Sequence, residues 1–466
     1  MNVIEQSMVI EKNLTFIREA GTAIKISRFV FMSSCYGAWG GSEELWSSTA
    51  KYLKQQGHEV YIYKTNVVST HHRINQLEQF NIPVFDTLLL DAQQETLDAQ
   101  QETLDAQQHP TLLSRVWRRF SQVWIINKVI RGLRRCYHFL SEWLRPQSRF
   151  VPETELQLES ELQLESELQS SLAKELVQLD PNLVIISQGD NFDGLEFATL
   201  CRQMNLPYII ISHKAGEDRW PIDEIRPLMK AAFQEAERCY FVSQHNLQVT
   251  EMQISQKLPH AEVVRNPYLT SVVAPLPWQN PENGCFKLAC VARLWLLDKG
   301  QDILLRVMAQ SKWKSRHIYV SFFGEGVNRD GLVELAQFLN LNNVSFPGFV
   351  ENIVDIWQEF HALILPSRAE GLPITLVEAM MCGRFGIVTN VGGVSEVVTD
   401  DVTGFIAPTA SFHAIDQTLE RAWQRRNEWE QIGRKAAISI REIIPAHPER
   451  IFADKLLQLC SLANNE

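Results

Sequence analysis

Short apolar runs alternate with segments of helical spacing along most of the chain. The run from Arg28 to Ser34 has the length of a buried strand, and apolar positions then recur near helical spacing until Gly57. Another apolar run follows from His58, so the order is strand, helix, strand. This order predicts a parallel sheet and an α/β protein built from doubly wound, Rossmann-like units.

A proline-rich passage over residues 267–284 divides this pattern into two halves. It contains four prolines, which suits a linker better than a helix or strand. Because 466 residues exceed one ordinary core, we predict a first lobe over residues 1–266 and a second lobe over residues 285–440. Residues 441–466 are predicted to be C-terminal helices. The ligand is expected in the cleft between the lobes.

Low-complexity sequence interrupts the predicted first lobe at about residues 87–170. Two repeat tracts, 91–108 and 153–169, hold eleven acidic residues (five plus six) and no Lys or Arg, which equals the whole net charge of -11. The rest of the chain is therefore neutral, and this balance gives no support to nucleic-acid binding. We interpret the tracts as solvated spacers.

A basic segment over residues 114–150 lies between the two tracts. It has nine Lys or Arg, one acid and three tryptophans. This composition is typical of a helix that lies on an anionic membrane surface. A helix packed on its own lobe, with arginines paired to the acidic tracts, satisfies the pattern equally well, and both interpretations stay open.

The expected compartment is the cytoplasm, with peripheral attachment to the inner face of the membrane under the first of these interpretations. No apolar run approaches the roughly 18 residues that a membrane span needs. Glu5 and Glu11 stand where a secretory signal would carry positive charge. The eight cysteines include no CxxC pair, which argues against a zinc site and a disulfide scaffold.

Two cations and two glutamates of the predicted second lobe are the main candidates for binding chemistry. Arg293 follows a predicted strand and Lys299 precedes a predicted helix, where free backbone N–H groups and two positive charges would suit a diphosphate. Glu370 follows another strand, and eight residues of helix would carry Glu378 about 12 Å further. Carboxylates so separated can bind hydroxyl groups at both ends of a nucleotide sugar. The turn that opens this helix consists of Gly371, Leu372 and Pro373.

Four ordered motifs resemble those of a known family. They are Arg293 with Lys299 and Gly300, the stretch Ser345 to Val350, Glu370 with Glu378, and the stretch Asn390 to Phe405. With these motifs the chain resembles the retaining nucleotide-sugar glycosyltransferases of family 4, among the glycosyl transferases of group 1. The resemblance implies the GT-B fold, in which two Rossmann-like lobes face a central cleft.

The resemblance also implies roles for the second-lobe residues. Arg293 and Lys299 would bind the donor diphosphate. Glu378 would bind the ribose, and Glu370 would contact the donor sugar as a catalytic residue. Gly371, Leu372 and Pro373 would belong to the same donor site.

The first lobe matches the family more loosely. By the resemblance, Gly40 and Gly41 would form the loop that approaches the phosphates, and His213 would lie beside the transferred sugar as a second catalytic residue. Two departures stand out: Gln188 occupies a position where the family often has His, and “GRFG” from Gly383 replaces a common Gly-x-Pro. Acceptor-side roles therefore carry over poorly.

The resulting hypothesis is a glycosyltransferase of the hexosyltransferase type that moves a sugar from a nucleotide diphosphate sugar to a hydroxyl acceptor with retention of configuration. Its expected setting is the synthesis of cell-surface polysaccharide, glycolipid or a related glycan. The sequence has no Asp-x-Asp pair, so we expect no metal and no cofactor beyond the co-substrate. Two alternatives stay open: a sugar phosphorylase or nucleotide-sugar epimerase on the same fold, and a membrane-docked scaffold that binds nucleotide without turnover.

Overall fold

The computed structural model describes residues 26–89, 171–270 and 272–462. The repeat tracts and the basic segment 114–150 lie outside the described residues. The chain divides into two compact units, of which one is Phe85–Gln178 and the other comprises Met1–Val84 with Leu179–Glu466. Apart from residues 85–86, the strands of both lobes belong to the second of these units.

The first lobe is built on a seven-stranded sheet. Its strands are β1 Arg28–Ser33, β2 Glu59–Lys64, β3 Val84–Asp86, β4 Leu183–Asp190, β5 Tyr208–Lys214, β6 Arg238–Phe241 and β7 Ala261–Val263. Their order in the sheet is β3-β2-β1-β4-β5-β6-β7, and the pairings from β2 through β7 are parallel. The helices of this lobe are α1 Gly41–Gln55, α2 His72–Gln79, α3 Leu195–Gln203, α4 Arg226–Glu235 and α5 Gln244–Ile254.

The second lobe repeats this architecture with six strands. They are β8 Phe286–Val291, β9 Ile318–Phe323, β10 Val344–Gly348, β11 Ala362–Leu365, β12 Phe385–Thr389 and β13 Gly404–Ala407, in the order β10-β9-β8-β11-β12-β13. All pairings in this sheet are parallel. Every residue of β11 and β12 is buried, so both faces of the sheet are covered. The two sheets confirm the predicted α/β class with two doubly wound lobes.

Ten helices follow the linker in the described chain. They are α6 Leu296–Lys299, α7 Gln301–Met308, α8 Ser311–Lys314, α9 Arg329–Phe338, α10 Ile353–Glu359, α11 Ile374–Met381, α12 Val394–Val397, α13 Phe412–Gln424, α14 Trp429–Ile443 and α15 Pro448–Leu462. The last of them returns to the first lobe, where Phe452 and Leu456 pack in one core with Phe29, Trp46 and Tyr240. None of the described helices has the length and apolar character needed to cross a membrane.

The order of strands reverses between β1 and β4 in one sheet and between β8 and β11 in the other. Crevices at such reversals, beyond the carboxyl ends of the strands, are where open parallel sheets bind ligands. A ligand site is therefore expected at the loops that follow β1, β8 and β11.

The predicted linker is fixed to the second lobe by a buried arginine. Arg384, only 2% exposed, donates hydrogen bonds to the carbonyl oxygens of Phe360 (2.8 Å) and Pro277 (2.9 Å). The next residue, Phe385, stands where the resemblance places proline, and it begins β12 with its ring packed edge-on against Trp429. The “GRFG” departure thus places an aromatic side chain in the core and an arginine against the linker.

Candidate functional site

A lysine and a glutamate meet beyond the carboxyl edge of the second sheet. Lys299 ends the short helix α6, and Glu370 lies in the loop after β11. Their Nζ and Oε1 atoms are 2.6 Å apart, and Ser367 Oγ donates to the same glutamate oxygen at 2.8 Å. The Lys299 side chain is 16% exposed and that of Glu370 is 9% exposed, so a ligand can reach this ion pair from the cleft.

Arg293 lies beyond β8 and faces the first lobe. A Cβ atom added to Gly37, in the loop after β1, would lie 3.4 Å from the Arg293 guanidinium. Within the described residues no ion pair joins the Arg293 guanidinium to Glu370 or to another carboxylate. Its exposed cation is therefore available to an anion that enters between the lobes.

The predicted glycine loop of the first lobe adjoins helix α11. Gly40 precedes α1 in an extended conformation, and Gly41 begins that helix. A Cβ atom added to Gly41 would lie 3.1 Å from Ile374 Cδ1, in the first turn of α11. The small size of Gly41 thus permits a close approach of the two lobes.

A buried lysine that the sequence analysis missed holds the segment just before this loop by hydrogen bonds. Lys64 ends β2 and is fully buried; its Nζ donates to the carbonyl oxygens of Cys35 (2.5 Å) and Gly37 (2.9 Å). The Glu43 carboxylate of α1 lies 3.5 Å from the same Nζ. Burial raises the pKa of Glu43, and the neighbouring Lys64 opposes that rise.

Helix α11 begins at Ile374, after the turn that Gly371, Leu372 and Pro373 form. The expected eight-residue helical rise between Glu370 and Glu378 is therefore wrong, because the first three of those residues precede the helix. Leu372 precedes a proline, which disfavours helical dihedral angles, and Pro373 itself is extended as the N-cap of α11. The turn also packs closely on the first lobe, since a Cβ atom on Gly371 would overlap the carbonyl oxygen of His213.

Glu378 lies within α11 and is 2% exposed. Its Oε1 accepts a hydrogen bond from the backbone N–H of Leu269 in the linker at 2.8 Å. Burial raises the pKa of Glu378 to about 7, although the Leu269 hydrogen bond opposes the shift. The negative charge of Glu44 on α1 adds to this rise in the pKa of Glu378, so a first-lobe carboxylate acts on Glu378 across the lobes.

His213 lies at the end of β5 and is 5% exposed. Among the described residues, neither ring nitrogen has a hydrogen-bond partner of good geometry, although the Asn266 side chain lies close enough to oppose the change in the pKa of His213. Burial lowers that pKa to about 3, so the ring is neutral at physiological pH. Buried polar groups are nearly always paired, and this ring therefore has capacity for a ligand hydroxyl group.

Both the sequence and the fold of this chain are similar to those of known proteins. Residues 277–438 match the model of a protein family described as Glycosyl transferases group 1. The second lobe is a group 1 glycosyl transferase domain. Among curated proteins, the chain is 30% identical to D-rhamnosyltransferase WbpZ of Pseudomonas aeruginosa over 153 residues, and 27% identical to the putative glycosyltransferase EpsD of Bacillus subtilis over 150 residues. These alignments cover 32% and 31% of this chain, and it spans 39% of the length of each relative.

Solved structures of other proteins match the fold of both lobes. The crystal structure of Anabaena Alr3699/HepE in complex with UDP matches with a TM-score of 0.63 at 15% identity, over 92% of this chain and all of that one. Sucrose-phosphate synthase from Thermosynechococcus elongatus matches with a TM-score of 0.63 at 13% identity, over 94% and 100% of the two chains. The chain therefore has the two-lobed GT-B fold.

The structure brings some predicted residues together and leaves others apart. In the group 1 domain Lys299 contacts Glu370 directly, and the turn at Gly371 contacts His213 across the lobes. Arg293 instead faces the first-lobe loop at Gly37. The roles of these residues in binding and catalysis stay predictions.

Lys64 and Asp298 are two of the charged residues near the site that the sequence analysis missed. Lys64 ends strand β2 directly after the buried Ile62 and Tyr63, where a charged side chain must find partners inside the fold. Asp298 immediately precedes Lys299, and its carboxylate is 6% exposed. The positions of Lys64 and Asp298 could be read from the sequence, but the groups that these two residues contact come from distant segments of the chain.

Proposed function

We propose that the protein is a retaining glycosyltransferase of the hexosyltransferase type, which moves a sugar from a nucleotide diphosphate sugar to a hydroxyl acceptor. The observation that carries this proposal is the Lys299–Glu370 ion pair, held at the cleft edge of a group 1 domain beside the Gly371 turn and His213. The names of the matched relatives support transferase chemistry. Structures titled as complexes with UDP and with UDP-glucose support a nucleotide-sugar donor.

Arg293 and Lys299 bind the donor diphosphate in this proposal. The departing nucleoside diphosphate gains negative charge in the transition state, and two fixed cations stabilise that charge without reorganisation of solvent. No metal or cofactor takes part. The absence of an Asp-x-Asp pair from the sequence supports this metal-independent mechanism.

Glu370 and His213 act on the transferred sugar. Glu370 accepts a hydrogen bond from a sugar hydroxyl group while Lys299 fixes its orientation. His213 is neutral because its pKa is about 3, so one ring nitrogen can accept and the other donate a hydrogen bond beside the anomeric carbon. The acceptor attacks from the face that the leaving group vacates, while the closed lobes exclude water.

Glu378 binds the ribose diol at the opposite end of the donor. Its buried position beside the linker would place the nucleoside where the two lobes are joined. Gly40 and Gly41 would let the first-lobe backbone approach the phosphates.

Synthesis of a surface glycan is the proposed setting. A further relative supports it by name: the Vi polysaccharide biosynthesis protein VipC/TviE of Salmonella typhi is 36% identical over 107 residues, 23% of this chain and 18% of that protein. Location in the cytoplasm, and attachment to an anionic membrane through residues 114–150, stay proposals from the sequence.

The test is thermal stabilisation by UDP-, GDP-, ADP-, CDP- and dTDP-sugars in EDTA, followed by transfer assays with the donor that stabilises. Binding to the folded state raises its apparent stability. We expect one base to raise the Tm of the wild-type protein and of Arg434→Ala, which removes a 70% exposed arginine on α14. Arg293→Ala and Glu370→Ala should keep the ligand-free Tm, the first losing donor stabilisation and both losing transfer.

The alternatives give different results in the same assays. A phosphorylase or epimerase would convert the donor without a hydroxyl acceptor. A scaffold would bind nucleotide and release no sugar. Full transfer by either Arg293→Ala or Glu370→Ala would refute the proposed roles, and an inverted product configuration would refute retention.

A further inference from the structure

Four charged side chains join the two lobes beside the proposed site. Asp190 and Lys214 end strands β4 and β5 of the first lobe, and Arg219 follows in the next loop. Lys214 Nζ lies 3.2 Å from Asp190 Oδ1 and 3.1 Å from Asp298 Oδ2 of the second lobe. Arg219 donates to Asp190 Oδ2 at 2.9 Å and also to Asp298 Oδ1. Asp298 is therefore bound by two cations of the opposite lobe.

The charges of this cluster favour closure of the lobes. Lys214, Arg219 and Asp190 together give the first-lobe side of the cluster one excess positive charge. Asp298 supplies the matching negative charge from the second lobe. Burial opposes ionisation of Asp298, yet Lys214 and Arg219 outweigh it and the pKa of Asp298 is lowered, so the carboxylate is ionised when the lobes meet.

Asp298 also holds the loop that carries Glu370. Its backbone carbonyl oxygen accepts hydrogen bonds from the N–H groups of Arg368 (2.6 Å) and Ala369 (3.2 Å). Glu370 is the next residue of that loop, and Lys299 is the residue after Asp298. One residue thus connects the first lobe with both members of the Lys299–Glu370 ion pair.

Separation of the lobes would change which cation Asp298 meets. Lys299 also contributes to the low pKa of Asp298, so its ammonium group lies within electrostatic reach. Once Lys214 and Arg219 withdraw with the first lobe, Lys299 is the remaining cation among these groups. Asp298 and Glu370 then compete for it.

We propose that Asp298 is a positioning residue that couples lobe closure to the placement of Lys299. In the closed protein the first-lobe cations neutralise Asp298, and Lys299 pairs with Glu370 in the orientation that receives the donor. In the open protein Asp298 draws Lys299 away. This inference rests on the proposed function for its catalytic consequence, but the coupling itself needs no donor.

The experiment uses the full chain without ligand. Energy transfer between labels at Met252 in the first lobe and Phe338 in the second, 55% and 81% exposed, reports closure. Acetylation of Lys299 by acetic anhydride, followed by mass spectrometry, reports its pairing. The variants are Asp298→Asn and Arg219→Gln, with Arg219→Lys to keep the cation. Asp302→Asn is the matched control. Asp302 Oδ1 lies 2.8 Å from the Arg368 guanidinium, and both members of this ion pair belong to the second lobe.

We expect Arg219→Gln to lower the closed fraction and to raise the acetylation rate of Lys299 by about fivefold or more, because Asp298 then draws Lys299 from Glu370. Asp298→Asn should lower the closed fraction as much but leave Lys299 paired with Glu370, so the acetylation rate of Lys299 should rise less than in Arg219→Gln. The double variant should match Asp298→Asn in both measurements, because no carboxylate at residue 298 remains to compete. Arg219→Lys and Asp302→Asn should stay near the wild type. Arg219 belongs to the other lobe, so a merely local structural role of Asp298 would leave Lys299 unaffected in Arg219→Gln.

Unchanged closure and unchanged Lys299 reactivity in Arg219→Gln would overturn the inference, even if Asp298→Asn fails to fold. An effect of Asp302→Asn as large as that of Arg219→Gln would also overturn it. Failure of the proposed function looks different, since the wild-type protein would then bind no nucleotide sugar while closure and acetylation still respond to Arg219→Gln. If the function holds, Arg219→Gln should also lower kcat about tenfold while Arg219→Lys restores it.

Discussion

Each lobe places one lysine–glutamate pair near the cleft, and the two pairs differ in burial. Lys64 and Glu43 of the first lobe are 0% and 1% exposed, with 3.5 Å between their charged atoms. Lys299 and Glu370 of the second lobe are 16% and 9% exposed and 2.6 Å apart. The first pair is enclosed and holds backbone carbonyl groups. The second is open to the cleft and can exchange a protein partner for a ligand, so burial separates an ion pair that supports the fold from one that a ligand can reach.

The largest expected effect on stability comes from Lys64→Met. This change leaves the carbonyl oxygens of Cys35 and Gly37 without their donor and Glu43 without its counter-charge. Removal of one partner of a buried ion pair costs about 3 to 5 kcal/mol. Urea unfolding at pH 7 should show a loss of that order.

A second variant separates charge from packing at this pair. In Lys64→Met/Glu43→Gln no uncompensated charge remains, so part of the lost stability should return. An equal loss in the single and double variants would mean that the carbonyl contacts alone make Lys64 important.

Lys299→Met should reverse this pattern, with a large effect on activity and a small one on stability. Ser367 still donates to Glu370 in this variant, and the pair is open to the cleft, so the free energy of unfolding should change by only about 1 kcal/mol. Transfer should fall on the order of a hundredfold to a thousandfold, as when one group that stabilises transition-state charge is removed. Steady-state kinetics and urea unfolding of the same preparation measure both. A loss of stability as large as that of Lys64→Met would remove the contrast between the lobes.

Glu378 sharpens the comparison because it is a buried carboxylate with no lysine at ion-pair distance among the described residues. Burial raises its pKa from 4.5 to about 7 in the folded protein. The unfolded chain therefore loses this proton at lower pH than the folded protein does. Ionisation of Glu378 thus costs stability progressively between about pH 4.5 and pH 7, and the cost is complete above pH 7.

Glu378→Gln removes this cost because glutamine does not titrate. Relative to the wild type, the variant should gain roughly 3 kcal/mol at pH 8 and almost nothing at pH 4, since each pKa unit corresponds to about 1.4 kcal/mol. Urea unfolding at both pH values measures the difference, with the exposed Glu430→Gln on α14 as control. A gain of the same size at both pH values would show that packing, and not the charge, distinguishes the variant.

The matched group 1 domain shows how far sequence reasoning reached. Short apolar runs separated by segments of helical spacing predicted both sheets. Parallel strands are buried on both faces and therefore form short uninterrupted apolar runs. The ordered motifs placed Arg293 and Lys299 after β8 and Glu370 after β11. The start of α11 was predicted too early, since Pro373 is the extended N-cap and not part of the first turn. The contact of the preceding turn with His213 could not be predicted either, because His213 lies 158 positions earlier in the chain (371 minus 213).

The sequence by itself determined the two α/β lobes and the candidate cations and carboxylates, because periodicity and local motifs are properties of neighbouring residues. Only the tertiary structure decided which of these charges meet. Lys64 finds its carbonyl partners in a loop some thirty residues away, and Asp298 finds Lys214 and Arg219 in the other lobe. Partners of that kind depend on how the strands are ordered and how the lobes close, and burial then decides whether an ion pair supports the fold or remains open to a ligand.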